Sequence, residues 1–345
     1  MSLVLAPEHC EDLKKSGLTD ATVEKMQVKA VRPHEIKALR GVESAYEIPY
    51  FTADGSVNGF ARTKLFPPLT TSNGTMKYWQ PKGTRPHLYL PPIVNWQTIA
   101  RDATRLVVIT EGEKKAAAAC QQGLVTMGIG GVWTWTSTLD SGEKLILPQL
   151  DDFTYPTRPI EMCPDSDAWW DDKWMQILKG FFALAKELRQ RGAAVQFVRL
   201  QDLHGGKCGL DDWLLVPGHD AEQAWPKLER ITLDDVRFSS LTAWWQKWKE
   251  KQVTHAAIKG QDAEELDISE TAGLFLVHSR AHSVRMTFDR LSDARGGVYA
   301  ELTVTVGATE LLSGVDIGLK SDSAHTKHAF GLKHLAATIP WKRLL

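Results

Sequence analysis

The chain has 345 residues, which is enough for two or three domains. Hydrophobic residues make up 43% of it and charged residues 24%, a balance typical of a soluble globular protein. Residues 101–235 carry 15 basic and 21 acidic side chains, whereas both flanks have a small basic excess. An acidic centre between basic flanks suits a metal site beside surfaces that bind polyanions.

The composition also excludes several classes of protein. No segment approaches the roughly 20 apolar residues that a membrane span needs, so we expect no membrane partner. The four cysteines show no C-x-x-C spacing, which argues against a zinc ribbon or zinc finger. Free cysteines and the lack of a basic, apolar leader at the start predict a cytoplasmic location.

Residues 1–100 are predicted to form an α+β region. Small helices over 8–42 are followed by a hairpin, whose strands 46–51 and 57–64 join at an Asp-Gly turn and end at Pro67-Pro68. Two short strands follow at 77–80 and 87–90. Aromatic and basic residues interleave here, which is typical either of single-strand or nucleotide binding or of an ordinary sheet core. The candidate nucleic-acid contacts are Arg62, Lys64, Lys82 and Arg85.

A β-α-β unit opens the second region, 101–216. The apolar run 106–110 predicts a buried strand, the Ala-rich stretch 114–122 a helix closed by Gly123, and the run 124–127 a second strand. The Gly-rich turn that follows brings Gly130 and Gly131 to where backbone could approach a phosphate, or simply allows a tight bend. No Walker A loop occurs, so no ATPase motor is indicated.

Acidic residues follow two predicted strands of this unit. Glu111 comes after the first strand, and Asp165 and Asp167 come directly after the strand 159–163. Open α/β sheets place ligands at the carboxyl ends of their strands, and oxygen ligands suit Mg²⁺. We therefore expect these acids to share one divalent ion, although helix capping would explain any one of them alone.

A second acidic pair lies further along the chain. A helix over 173–191 and a strand over 194–200 precede Asp211 and Asp212, which open a short helix. Capping explains one of the two, and either could also reach the metal. The full set of predicted site residues is Glu111 as the catalytic group; Asp165, Asp167, Asp211, Asp212 and Glu113 as metal ligands; and Lys114, Lys115, Gly130 and Gly131 as phosphate contacts.

Residues 217–345 form a third region with no catalytic constellation. A basic, Trp-rich helix over 242–251 is predicted first, then strands over 274–278, 283–289 and 298–307, and a helix over 323–337. We expect an α+β appendage that docks a partner or binds nucleic acid.

The ordered motifs resemble the Toprim domain of primases, topoisomerases and some nucleases. They are ITEGEKKA with Glu111, CPDSDAW with Asp165 and Asp167, and GLDDWL at 209–214. The stretches IPYFTADGSVNGFARTKLFPP and KYWQPKGTRPHLYLPP, together with the GGVW turn, make the chain similar to primase-like Toprim proteins of phages, plasmids and integrated elements.

The resemblance implies a fold, a chemistry and partners. The fold is α/β, a Toprim-like Rossmannoid core with a mostly parallel sheet. The chemistry is Mg²⁺- or Mn²⁺-dependent nucleotidyl transfer in replication of a mobile element. The implied partners are single-stranded template DNA, nucleoside triphosphates and a replicative helicase. A metal-dependent nuclease, or a non-catalytic DNA- or partner-binding protein with a vestigial metal site, remain as alternatives.

Overall fold

The computed structural model describes residues 4–71, 74–138, 144–170, 173–259, 266–271, 274–279, 284–292, 298–306 and 309–318. These residues divide into two compact units: residues 1–137 with 146–242, and residues 138–145 with 243–345. The helices are α1 (Pro7–Lys15), α2 (Asp20–Lys25), α3 (Trp96–Arg101), α4 (Glu113–Gln121), α5 (Trp174–Gln190), α6 (Leu210–Leu214) and α7 (Ser239–Lys259). No helix in these ranges is long and apolar enough to cross a membrane.

Seventeen strands are seen in the described ranges. They are β1 (Lys29–Val31), β2 (Ser44–Phe51), β3 (Val57–Thr71), β4 (Gly74–Trp79), β5 (Leu88–Tyr89), β6 (Val107–Glu111), β7 (Thr126–Ile129), β8 (Thr136–Thr138), β9 (Lys144–Ile146), β10 (Pro159–Cys163), β11 (Ala194–Arg199), β12 (Glu229–Thr232), β13 (Leu266–Thr271), β14 (Leu274–Ser279), β15 (Val284–Ser292), β16 (Val298–Val306) and β17 (Thr309–Gly318).

The first unit is built on a six-stranded sheet of order β12-β11-β10-β6-β7-β5. Its four inner strands are parallel, and the two edge strands β5 and β12 are antiparallel to their neighbours. The apolar stripe of α5 is buried, and α4 contributes five buried small residues, which lets it lie close to the sheet. The predicted α/β class with a mostly parallel sheet is confirmed.

A four-stranded antiparallel sheet of order β1-β2-β3-β4 forms the N-terminal part of the same unit. The prediction that Pro67-Pro68 ends the hairpin is wrong, because β3 runs through both prolines to Thr71. Proline has no N–H to donate, and the register of β3 against β4 shifts between Lys64 and Leu69 as a result.

The second unit contains the antiparallel sheet β13-β14-β15-β16-β17. Three of these strands, β14, β15 and β16, agree with the sequence prediction to within a few residues. The helix predicted over 323–337 lies outside the described residues.

Candidate functional site

The carboxyl ends of β6 and β10 lie side by side in the sheet. The two strands are parallel, and Thr110 of β6 is in register with Cys163 of β10. The residues that follow, Glu111 on one strand and Asp165 and Asp167 after the other, therefore come to one edge. Burial raises the pKa of Glu111 above its ordinary value, and the negative charge of Asp165 adds to the rise. The strand order thus brings the acids of both motifs into electrostatic contact.

Three lysines neutralise the aspartates at this edge. The ammonium of Lys115 donates to both carboxylate oxygens of Asp165, at 2.5 and 2.6 Å. Lys207 Nζ lies 2.7 Å from Asp165 and 3.4 Å from Asp167, and Lys173 Nζ lies 3.4 Å from Asp167. Because the aspartate side chains are only 5% and 7% exposed, these contacts replace lost hydration.

In this arrangement lysines, and not a metal ion, meet the carboxylates. Among the described residues, no three His, Cys, Asp or Glu side chains are grouped so that they could hold one. The ammonium of Lys115 bridges the two oxygens of Asp165, where an ion bound by that carboxylate would lie. The buried Oδ1 of Asp167 has no hydrogen-bond partner, and its 3.4 Å approach to Lys207 is an ion pair only. The magnesium site predicted from the sequence therefore stays a prediction, and in this structure lysines meet the carboxylates that would hold the ion.

The second acidic pair serves the short helix α6. The carboxylate of Asp212 accepts a hydrogen bond from the backbone N–H of Gly209 at 2.8 Å, so it caps the helix. Asp211 is 9% exposed, and burial raises its pKa, although the charge of Lys115 acts in the opposite direction. A Cβ on Gly209 would lie 2.9 Å from Lys115 Cε, so this glycine leaves room for the lysine. The capping interpretation is the one that the geometry of Asp212 supports.

Glu113, predicted as a metal ligand, faces away from the aspartates toward the four-stranded sheet β1-β2-β3-β4, which we call the hairpin sheet. It is 1% exposed, and its Oε1 accepts hydrogen bonds from Tyr50 Oη at 2.5 Å and from Arg62 Nη1 at 2.7 Å. The same Arg62 nitrogen donates to the carbonyl of Gly130 at 2.8 Å. A Cβ on Gly130 would lie 2.5 Å from that nitrogen, so the glycine makes space for the guanidinium. Glu113, Arg62 and Gly130 therefore join the hairpin sheet to the α/β sheet.

The predicted nucleic-acid contacts divide into a buried pair and an exposed pair. Arg62 and Lys64 have side chains that are 16% and 13% exposed, and both lie over the ring of Tyr78. Lys82 and Arg85 are exposed in the turns after β4. Of the four, only Lys82 and Arg85 are thus free of the packing that holds the hairpin sheet.

The predicted phosphate contacts Lys114 and Lys115 point in different directions. Lys114 Nζ donates to the carboxylate of Asp12 at 2.8 Å and to its backbone carbonyl at 3.0 Å, so this lysine ties α4 to α1. Lys115 reaches the edge of the sheet where Glu111, Asp165 and Asp167 lie at the ends of β6 and β10, which we call the strand-end edge. Helix α4 begins after Gly112, which has φ +107° and provides no capping side chain. Its first N–H groups therefore face the same edge of the sheet as the loops after β6, as in many anion sites.

Two residues of the site, Lys173 and Lys207, were missed by the sequence analysis. Lys173 precedes α5, in the connection after β10, and Lys207 lies in the loop after β11. Both loops follow parallel strands, so the rule that predicted the acids also places these lysines at the same edge. The signal was present in the strand pattern, but no motif marks either lysine.

The raised pKa of Glu111 predicts an effect of pH on stability. Burying the charged carboxylate costs free energy, and this cost sets in as the pH rises through the ordinary glutamate range toward the raised pKa. We expect Glu111→Gln to be more stable than the wild type at pH 7, with the difference vanishing well below the ordinary glutamate pKa. Urea denaturation at a series of pH values measures the difference in the free energy of unfolding between the variant and the wild type. Glu24→Gln, at an exposed position on α2, is the control, and equal stability of Glu111→Gln and wild type at pH 7 would contradict the prediction.

Comparison with known proteins adds one finding. A family model described as a domain of unknown function, DUF3854, matches residues 95–221. The matched segment runs from α3 to beyond α6 and so contains every strand-end acid and lysine described above. No curated protein and no solved structure matches the chain.

Proposed function

We propose that the strand-end edge binds nucleic-acid phosphates, as part of a Toprim-like replication protein of a mobile element. In this proposal lysines, and not a resident ion, neutralise the carboxylates. The observation that carries it is the pair of half-exposed lysines, Lys207 and Lys173, beside the carboxylates of Asp165 and Asp167.

Lysines neutralise most of the negative charge at the edge. Three carboxylates, of Glu111, Asp165 and Asp167, face three ammonium groups, of Lys115, Lys173 and Lys207. Asp211, whose charge also acts on Lys115, leaves one carboxylate in excess, so the lysines weaken the attraction for a divalent cation without abolishing it. This partial neutralisation by lysines favours the non-catalytic alternative among the three functions under consideration.

The lysines differ in how freely they can meet a ligand. Lys207 and Lys173 have side chains that are 50% and 41% exposed, so they can turn toward a phosphate at little cost. Lys115 is 20% exposed and bound by two oxygens, so it stays with Asp165. The uncapped N-terminus of α4 adds N–H donors at the same edge. We assign phosphate contact to Lys207 and Lys173, and a structural role to Lys115.

The test is the affinity for a labelled single-stranded oligonucleotide, measured by fluorescence anisotropy over a range of salt concentrations. Removing one phosphate contact lowers the slope of log affinity against log salt by about 1. We expect that loss, with weaker binding, in Lys207→Ala. Lys25→Ala, at an exposed position on α2, is the matched control. Binding that is unchanged in Lys207→Ala would contradict the proposal.

Primase-like nucleotidyl transfer is a second candidate, and the buried Oδ1 of Asp167 favours it. This oxygen has no hydrogen-bond partner, and it lies at the same edge as Asp165 and Glu111. A buried carboxylate oxygen without a partner costs free energy. A cation that came to coordinate this oxygen would therefore gain binding energy. Catalysis by this edge would, however, require that Lys115 leave Asp165.

Primer synthesis on single-stranded DNA, with nucleotides and Mg²⁺ or Mn²⁺, tests this second candidate. Synthesis that is lost in the Asp165→Ala, Asp167→Ala double variant would favour it over simple phosphate binding. Cleavage of labelled DNA without nucleotides, lost in the same variant, would instead favour the nuclease alternative.

A further inference from the structure

A cavity of about 380 Å³ opens beside the strand-end edge, between the 3₁₀ turn after β10 and the end of β11. Its lining includes Ser166, Trp169, Trp170, Arg199 and Asp202. The volume lies in the range of roughly 300–1,000 Å³ that is usual for small-molecule sites. Ser166 and Trp169 belong to the CPDSDAW motif, but the sequence analysis assigned no role to either of them.

The cavity combines aromatic surface with cations. Both tryptophans are half-buried. Arg199 Cζ lies 5.8 Å from the ring centroid of Trp169, and Lys173 Nζ lies 4.6 Å from that of Trp170. The indole N–H of Trp170 donates to both carboxylate oxygens of Asp202, at 3.0 and 3.2 Å, which fixes its ring. A fixed aromatic ring beside cationic groups is the arrangement that holds a stacked nucleobase.

The other tryptophan of the cavity, Trp169, has an indole N–H that makes no hydrogen bond within the described residues. The nitrogen of this group, Nε1, is buried. A buried N–H without an acceptor is costly and rare. Trp169 also packs against Phe197 and Phe238, which holds its ring in place. Trp169 therefore lines the cavity with a ring that is held in place.

The cavity and the strand-end edge share residues. Ser166 lines the cavity and lies between Asp165 and Asp167 in the chain. Lys173 forms the ion pair with Asp167 and also lies over the ring of Trp170. A ligand that fills the cavity therefore lies within one side-chain length of the lysines that we assign to phosphate.

We propose that this cavity binds a nucleobase, stacked on Trp170, whose phosphate lies at Lys173 and Lys207. The proposal rests on the proposed function for the phosphate half of the ligand, and on the cavity alone for the base. The shared chemistry is a base linked to phosphate, which either a free nucleotide or single-stranded nucleic acid supplies.

The experiment compares a thymidine oligonucleotide with an abasic oligonucleotide of equal length. We expect Trp170→Ala to weaken binding of the thymidine oligonucleotide by about tenfold and to leave binding of the abasic one unchanged. Trp170→Phe retains a stacking ring and is expected to retain most of the affinity. Trp79→Ala, at a half-buried position on β4, is the matched control and should bind like the wild type.

Titration with dTTP and with inorganic triphosphate distinguishes the two sources. A loss of dTTP affinity in Trp170→Ala identifies a free nucleotide as a ligand, and a loss with the oligonucleotide alone identifies a single strand. The proposed function has a separate test: it fails if Lys207→Ala binds the abasic oligonucleotide with the same affinity as the wild type. The base site is overturned if Trp170→Ala binds all base-bearing ligands like the wild type, or if Trp79→Ala shows the larger loss.

A measurement on the wild-type chain keeps the proposal falsifiable if Trp170→Ala does not fold. An oligonucleotide with 5-iododeoxyuridine is cross-linked by light, and the modified peptide is identified by mass spectrometry. We expect cross-links in the peptide that contains Trp169 and Trp170. Cross-links confined to the hairpin sheet, residues 44–79, would overturn it.

Discussion

Arg62→Met is expected to destabilise the fold by about 3 kcal/mol, because it leaves the buried carboxylate of Glu113 without its cation. Glu113 is 1% exposed, and Arg62 is its ion-pair partner at 2.7 Å. The change also removes the donor to the Gly130 carbonyl. Urea denaturation followed by circular dichroism measures the loss. Tyr50 continues to donate to Glu113, which keeps the cost toward the lower end of the range for a broken buried pair.

Two controls separate the buried pair from a general effect of losing a charge. Arg32→Met removes an ion pair whose side chains are 55% and 59% exposed, and it should cost no more than about 1 kcal/mol. Adding Glu113→Gln to Arg62→Met removes the stranded charge and should restore much of the stability, since a neutral amide still accepts from Tyr50. If Arg62→Met costs no more than Arg32→Met, the hairpin sheet does not depend on this pair.

Lys115→Met is expected to strengthen the binding of a divalent cation at Asp165. The pKa of Lys115 lies above its ordinary value, because the charge and hydrogen bonds of Asp165 outweigh the opposing effect of burial. The lysine is therefore charged at neutral pH and competes with any ion for Asp165. Its removal should tighten Mn²⁺ binding by about tenfold or more, as measured by isothermal titration.

The same variant should lose stability in the absence of metal and recover it with Mn²⁺. Asp165 retains Lys207, so we expect a loss of about 2 kcal/mol, less than for an isolated buried charge. Ligand linkage then raises the melting temperature of the variant, but not that of the wild type, when Mn²⁺ is added. The control is Lys207→Met, which removes the half-exposed partner of Asp165. It should change the Mn²⁺ affinity and the stability less than Lys115→Met does. Mn²⁺ binding by the wild type as tight as by Lys115→Met would show that Lys115 does not exclude the ion, and would favour nucleotidyl transfer.

Local sequence determined the elements that form the edge. The apolar runs before Glu111 and Asp165 are short and bounded by turn residues, and they form β6 and β10 within a residue of the prediction. The Ala-rich segment and the amphipathic segment form α4 and α5 for the same reason, since both patterns are local. The meeting of the acids at one edge also followed from sequence, because parallel strands carry their carboxyl ends to the same side of a sheet.

Only the tertiary structure decided what each charged side chain meets. Glu111 and Glu113 are two residues apart in one motif, yet Glu111 lies at the acidic edge and Glu113 is paired with Arg62 of β3. Lys115 and Lys207 converge on Asp165 from positions 92 residues apart, counted from their numbers. Such pairs depend on how separate elements dock and on distances of a few ångströms, and neither is encoded in periodicity or spacing. The sequence therefore predicted which acids meet at one edge, and the packing of the loops after β10 and β11 determined which lysines lie beside them.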